Sequence, residues 1–253
     1  MELTQWRWGQ ENQGVTMGEQ IRISAKTLAE VAMPGFCPRC FWIKRKVPKQ
    51  LPYQSFPGIF SSIDAYSKRV VHSRFDKGQG PPVWFRGLGE LVSYIDPPHY
   101  SKFKIIDEDT DILLTGSPDG VFVRADGSHV IVDYKTSRYT PYQGHLYPLY
   151  EAQLNAYALI GERCGLSPVS ALALIYTEPV TDEATAAEDR VHREDGFAME
   201  FVANIVDVKL DPGIISPLLA TAREICDLDS VPKGRYGCKN CGLLDDLLEL
   251  IGT

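Results

Sequence analysis

Two Cys-x₂-Cys pairs stand far apart in the chain, Cys37 and Cys40 in CPRC, and Cys238 and Cys241 in CKNC. A two-residue spacing lets both thiolates of a pair converge on one metal ion or cluster. A single pair could equally be a redox couple, but two distant pairs favour a shared metal site. The sequence therefore predicts a four-cysteine metal site that ties the N-terminal and C-terminal parts of the chain together.

The composition is that of a globular protein. Hydrophobic residues make up 44% of the 253 residues, which suits one large domain or a domain with a smaller appendage. No apolar run approaches the roughly 18 residues that a membrane helix needs, so no membrane partner is expected. The polar start MELTQWRWGQ lacks the layout of a signal peptide, and we expect a cytoplasmic protein with free thiols.

The net charge of -7 argues against a uniformly basic surface for nucleic acid. Two local basic stretches, 41–49 and 67–74, nevertheless leave nucleic-acid binding open, because a local patch is what matters. Each stretch on its own is more typical of ordinary solvated surface.

Strands and helices alternate along the chain. Period-two and apolar patterns predict strands at 103–107, 111–124, 129–137, 169–180 and 197–210. The helical spacing of apolar residues predicts helices at 24–33, 57–75, 147–165 and 211–228. The fold class is therefore α/β (mixed α+β), organised around a central run of strands.

Two Asp-Gly pairs lie within the central run. Asp126-Gly127 separates two strand patterns, where a hairpin needs its turn. Asp119-Gly120 lies inside a stretch that otherwise has the strand pattern, and local chemistry alone would allow a second turn there.

The strand after the hairpin favours a different role for Asp119. Ile131, Asp133 and Lys135 alternate onto one face of that strand. Pairing across the hairpin brings Asp119 alongside Asp133 and Lys135, and two neighbouring carboxylates favour a divalent cation such as Mg²⁺ or Mn²⁺. A lysine beside the metal can assist an attacking water or stabilise charge on a phosphate. The alternative is a surface Asp–Lys pair at a strand end.

SPDG at 117–120 and DYK at 133–135 resemble the motif of the PD-(D/E)XK nuclease superfamily, in particular its RecB-like and Cas4-like branch. In that branch a following helix carries Gln and Tyr four residues apart, and here EAQLNAYA supplies Gln153 and Tyr157. The resemblance implies a restriction-endonuclease-like core with a central mixed β-sheet flanked by helices. It also implies that Asp119, Asp133 and the backbone carbonyl of Tyr134 bind the metal.

By the same resemblance Lys135 assists the hydrolytic water, and Gln153 and Tyr157 hold the site or the nucleic-acid backbone. The branch often adds an acid or a His from an earlier helix. Asp64 matches that position, because it borders the inward face of the helix predicted at 57–75, and His72 on the same helix is the fallback.

The cysteines extend the resemblance, because relatives in this branch join early and late cysteines around an iron–sulfur cluster. Their usual division is one early cysteine and three late. This chain has two and two, with Cys226 as a substitute ligand and Cys164 as a core residue. The family favours a [4Fe-4S] cluster, whereas the donor set alone also suits tetrahedral Zn²⁺.

The function implied is a metal-dependent DNA nuclease, exonuclease-like on single-stranded or frayed DNA ends. The alternative is a catalytically weak DNA-binding or assembly subunit that is stabilised by the cysteine site. Protein partners in a CRISPR adaptation or DNA repair complex would fit either function. The tyrosine-rich run at 139–150 could stack bases or pack over the site.

The domain organisation expected from these motifs has four parts. They are a flexible tail at 1–20, a segment with the first cysteine pair at 21–56, a nuclease core at 57–225 and a segment with the second pair at 226–253.

Overall fold

The computed structural model describes residues 20–47 and 57–252, without the side chains of 141–143. Most of the predicted tail at 1–20, and most of the prolines and glutamines that follow the first cysteine pair, lie outside the described residues. Within the described ranges, no helix has the length and apolar character needed to cross a bilayer.

The helices are α1 (Ala25–Ala29), α2 (Pro38–Lys46), α3 (Gly58–Asp76), α4 (Tyr147–Arg163), α5 (Glu183–Ala186), α6 (Ile215–Cys226) and α7 (Lys239–Leu250). The strands are β1 (Ile21–Ser24), β2 (Leu91–Ile95), β3 (Lys104–Asp107), β4 (Ile112–Thr115), β5 (Gly120–Arg124), β6 (His129–Lys135), β7 (Val169–Pro179), β8 (His192–Arg193), β9 (Gly196–Phe197) and β10 (Phe201–Val208).

The central sheet has five strands in the order β10-β7-β6-β5-β2. β6 and β7 are parallel, and the other neighbours pair antiparallel. A parallel pair needs a crossover connection, which α4 supplies between β6 and β7. The predicted class, a mixed α+β fold with a central mixed sheet flanked by helices, is confirmed.

The stretch 111–124 differs from the single strand that its pattern predicts. It forms β4 in a separate three-stranded sheet, order β1-β4-β3, and β5 in the central sheet. The chain changes sheets between Gly116 and Asp119, where the Tyr157 ring lies so close that a Cβ on Gly116 would be 2.7 Å from it. The turn-forming residues of GSPDG at 116–120, which left a turn open in the sequence, are the signal for this break.

The two faces of the central sheet are covered by different helices. Val130, Val132 and Tyr134 of β6 pack on the face that α3 covers, whereas Ile131 of the same strand packs with the core under α4. Since side chains alternate along a strand, Asp133 and Lys135 lie on the α4 face with Ile131. Asp133 is the one charged residue that is buried among the described residues, with 4% of its surface exposed.

Candidate active site and cysteine site

The hairpin between β5 and β6 sets the position of Asp119. Gly127 has a φ of 82°, which suits glycine at a hairpin turn, and Gly120 pairs with Val132 across the two strands. Asp119, immediately before Gly120, thereby lies beside the end of β6. Its Oδ2 accepts a hydrogen bond from the backbone N–H of Tyr134 at 3.0 Å.

The space beside Gly120 is filled by the protein core. A Cβ at this position would lie 2.9 Å from Val132 and 3.3 Å from Phe122. The glycine therefore makes room for core side chains on the α3 face.

Asp133 is held by neighbours on its own strand and on α4. Lys135 Nζ forms an ion pair with Asp133 Oδ2, and Gln153 Nε2 donates a hydrogen bond to Asp133 Oδ1 at 3.2 Å. The same amide donates to Tyr157 Oη at 3.0 Å. The i, i+4 spacing on α4 therefore lets Tyr157 orient Gln153, which in turn orients the Asp133 carboxylate.

The Lys135 ammonium is also in contact with an aromatic ring. Its Nζ lies 4.3 Å from the centroid of the Tyr150 ring, a cation–π arrangement. Tyr150 belongs to the tyrosine-rich run, and here it packs against the site. The stem of Lys135 is thus restrained at the end of β6, and its charge faces Asp133.

The environment of Asp133 favours its neutral form. Burial is the largest cause and raises the pKa of Asp133 to about 7, while Lys135 lowers the pKa and the Asp119 carboxylate raises it. A second cation at this site would offset the burial and hold Asp133 ionised.

The helix α3 carries Asp64, which is connected to Asp119 by a bridging lysine, Lys68. Lys68 Nζ lies 2.8 Å from Asp64 Oδ2 and 2.8 Å from Asp119 Oδ1. His72, one turn further along α3, stacks on Tyr94 with the two ring centroids 3.9 Å apart. Of the two candidates for an additional ligand, Asp64 is the one that the structure connects to Asp119.

Lys68 is the site residue that sequence reasoning missed. It belongs to the basic stretch 67–74, which the sequence alone interprets as ordinary surface. The available signal was its i, i+4 spacing from Asp64, which puts both side chains on one face of a helix.

The donor set fits a hard divalent cation. Asp119 and Asp133 supply carboxylate oxygens side by side, which Mg²⁺ and Mn²⁺ prefer. Asp133 Oδ2 is buried and accepts no hydrogen bond from the described residues, apart from its ion-pair contact with Lys135. The metal role of the Tyr134 carbonyl stays a prediction.

The four paired cysteines meet where α2 and α7 come together. Each pair has one cysteine just before a helix and one in its first turn. The Sγ atoms of Cys37 and Cys241 lie 3.5 Å apart, as do those of Cys40 and Cys241, while those of Cys40 and Cys238 lie 3.6 Å apart. All four sulfurs lie within 4.8 Å of one another, so the group could hold a metal. The predicted junction of the N-terminal and C-terminal parts is confirmed.

Backbone and surface contacts support this junction. Burial alone would raise the pKa of the Cys37 thiol, but the N–H of Arg235, 3.2 Å from its Sγ, and the other sulfur contacts lower that pKa to about 6. Arg39 of α2 forms a bidentate pair with Asp245 of α7, at 2.6 and 3.0 Å. The lowered pKa favours the thiolate form of Cys37, whereas burial raises the pKa of the Cys40 and Cys241 thiols.

The other two cysteines lie outside the four-sulfur group. Cys226 ends α6, where its carbonyl accepts a hydrogen bond from Lys46 at 3.4 Å and burial raises the pKa of its thiol. Cys164 Sγ donates to the Lys104 carbonyl at 3.6 Å. The structure thus places Cys226, the predicted substitute ligand, apart from the candidate metal site.

Comparisons with known proteins agree with this geometry at the level of the superfamily. The chain in the crystal structure of SSO0001 is 13% identical in sequence, and its TM-score is 0.42 over 94% of this chain and 88% of that chain. This similarity is too low to support an inference. No curated protein matches the chain. A family model described as the PD-(D/E)XK nuclease superfamily matches residues 68–244, which include Asp119, Asp133 and Lys135. The chain belongs to the PD-(D/E)XK nuclease superfamily.

Proposed function

We propose that this nuclease-superfamily protein is a Mg²⁺- or Mn²⁺-dependent deoxyribonuclease of the RecB-like and Cas4-like branch. The observation that carries the proposal is the convergence of Asp119, Asp133 and Lys135, with Gln153 donating to Asp133. Two adjacent carboxylates can hold the cation for metal-assisted hydrolysis of a phosphodiester, and a lysine beside it can assist the attacking water.

Asp119 and Asp133 would hold the divalent cation, with Asp64 as a candidate third carboxylate. When bound, the metal supplies Lewis acidity and lowers the pKa of a water molecule. Lys135 orients that water and stabilises negative charge on the phosphate, because its ammonium is fixed beside Asp133. Gln153 and Tyr157 keep the Asp133 carboxylate in one orientation.

The preference for single strands or frayed ends, and the exonuclease-like action, rest on the resemblance to the RecB-like and Cas4-like branch alone. The division into a core at 57–225 and cysteine-bearing segments on either side remains part of this proposal. A cytoplasmic location and protein partners in a CRISPR adaptation or DNA repair complex also remain predictions.

For the cysteine site we propose a single tetrahedral Zn²⁺, although the resemblance favours [4Fe-4S]. Four sulfurs bound 2.3 Å from one tetrahedral ion lie about 3.8 Å apart. Three of the six sulfur pairs lie 3.5–3.6 Å apart, close to that value, and all six lie within 4.8 Å. A four-iron cluster would need room for its irons and sulfides between the same four sulfurs.

A cleavage assay tests the substrate part of the proposal. The protein as purified would be incubated with Mn²⁺ and one labelled DNA sequence in four forms: linear single strand, circular single strand, blunt duplex and duplex with frayed ends. We expect the linear single strand and the frayed duplex to be shortened progressively, and the circle and the blunt duplex to be spared.

Cleavage of the circle at the same rate as the linear strand would contradict exonuclease-like action. Retained DNA binding without cleavage in Mn²⁺ or Mg²⁺ would instead support the catalytically weak DNA-binding or assembly subunit.

A further inference from the structure

In both Asp119 and Asp133, one carboxylate oxygen accepts a hydrogen bond from a neutral donor and the other contacts a lysine ammonium. Asp119 Oδ2 accepts from the Tyr134 backbone N–H, and Asp119 Oδ1 pairs with Lys68. Asp133 Oδ1 accepts from Gln153, and Asp133 Oδ2 pairs with Lys135. The neutral donors fix the orientation of the carboxylates, so the oxygens left for a metal are the ones that the lysines contact.

Lys68 has a second ion-pair partner, whereas Lys135 has one among the described residues. The ammonium of Lys68 contacts two carboxylates at 2.8 Å, and its side chain is 22% exposed. Asp64 lies four residues earlier on the same helix, so Lys68 keeps an ion-pair partner when it leaves Asp119. Lys135 is additionally restrained by the Tyr150 ring. Moving the Lys68 ammonium away from Asp119 therefore costs less free energy than moving the Lys135 ammonium away from Asp133.

A divalent cation and the Lys68 ammonium would compete for Asp119 Oδ1. Mg²⁺ binds carboxylate oxygens at about 2.1 Å, and the Lys68 ammonium lies 2.8 Å from that oxygen. Two cations this close repel strongly in a partly buried site. Without Lys68, Lys135 would be the one described residue that forms an ion pair with any of Asp64, Asp119 and Asp133.

We propose that Lys68 is an internal counter-cation that occupies the Asp119 position of the metal site in the metal-free protein and is displaced when the divalent cation binds. This inference rests on the proposed metal site at Asp119 and Asp133. It makes Lys68 a positioning residue: it stabilises the metal-free site and sets how tightly the cation binds, without taking part in hydrolysis.

The test compares Mn²⁺ binding to wild type and to Lys68→Met, a variant that keeps the length of the stem and removes the charge. Isothermal titration with MnCl₂ gives the Kd, and Asp119→Asn supplies the background from other sites. We expect Lys68→Met to bind Mn²⁺ on the order of tenfold more tightly, because it loses a competing positive charge. Its melting temperature in EDTA should fall, and saturating Mn²⁺ should restore it.

Two further variants control for changes that do not involve the counter-charge. Lys77→Met removes a lysine at the end of the same helix, nine residues from Lys68 and about 13 Å along the helix axis. It should leave the Kd and both melting temperatures unchanged. Lys68→Arg keeps the positive charge and should bind Mn²⁺ no more tightly than wild type. Lys68→Gln replaces Lys68→Met if the latter does not fold.

The outcomes separate this inference from the proposed function. Equal or weaker Mn²⁺ binding by Lys68→Met than by wild type overturns the counter-cation role and leaves the metal site intact. Mn²⁺ binding by Lys68→Met but not by wild type supports the displacement of Lys68 by the metal. No Mn²⁺ binding by either protein overturns the counter-cation role and the proposed metal site together.

Discussion

Lys135→Met is expected to slow DNA cleavage at saturating Mn²⁺ by about 10²–10⁴-fold, the range for losing a group that assists proton transfer. The ammonium of Lys135 lies against Asp133 Oδ2 and over the Tyr150 ring, so no other described group supplies a positive charge at that point. Methionine keeps most of the apolar stem, and β6 retains its backbone pairing with β5 and β7. The loss should therefore fall on the rate and leave the fold in place.

The measurement is a single-turnover rate on a labelled single strand, with melting temperatures recorded for both proteins in Mn²⁺. Lys26→Met, a change of an exposed lysine on α1, serves as the matched control and should cleave like wild type. If Lys135→Met cleaved at the wild-type rate, Lys135 would have no part in hydrolysis. Asp133 and Lys135 would then form a structural ion pair at the end of β6.

Cys238→Ser is expected to release the cysteine-bound metal and to lower the melting temperature. The four sulfurs join α2 to α7, two helices whose cysteines are about two hundred positions apart in the chain. Structural zinc contributes about 10–16 kcal/mol to the folding of small zinc-binding peptides. A loss of even about 3 kcal/mol would lower the melting temperature by roughly 6–12 °C in a protein of this size.

Metal analysis and the visible spectrum of freshly purified protein accompany this comparison. One equivalent of zinc in a colourless wild type is the expected result, and a brown protein with about four irons would favour the cluster instead. Cys164→Ser is the control, because Cys164 lies outside the four-sulfur group. A metal-free Cys238→Ser protein with an unchanged melting temperature would contradict a structural role for the site.

The local part of the site follows from short-range rules. The Asp126-Gly127 turn is visible in sequence, and Asp126 Oδ1 accepts from the Ser128 N–H at 2.9 Å, as such turns do. Once that turn is fixed, strand pairing determines that Asp119 lies beside the end of β6. The helix start at Ser24 is equally local, since its Oγ accepts from the Thr27 N–H at 3.1 Å.

The assignment of strands to sheets could not be predicted in this way. β1 pairs with β4 across about ninety positions, and β4 and β5 read as one strand although they belong to different sheets. The helix α2 is not predicted either, because it is short and its cysteines and basic residues leave little apolar periodicity. The leucines of α7 recur at helical spacing, so that helix had a signal in the sequence. The pairing of β1 with β4 and the division of strands between sheets depend on contacts between distant segments, which the local sequence pattern does not show.

The role of Lys68 shows the same limit at the level of one side chain. In sequence it is one of several basic residues in a stretch that is typical of exposed surface. Only the approach of α3 to the start of β5 gives it Asp119 as a partner, fifty-one positions away. The contacts of a side chain were therefore predictable where its partner is local, as for Asp133 and Lys135, and were hidden where the partner is distant.

Metal-dependent cleavage by wild type and by Asp119→Asn tests the central claim most directly. Asparagine has the shape of the aspartate but lacks its charge, and it can still accept the hydrogen bond from the Tyr134 N–H. A labelled single strand would be incubated with each protein in Mn²⁺ and in EDTA, with melting temperatures measured alongside. We expect cleavage by wild type in Mn²⁺ alone, and no cleavage by a folded Asp119→Asn protein. Cleavage by Asp119→Asn at the wild-type rate, or cleavage by wild type in EDTA, would contradict the account.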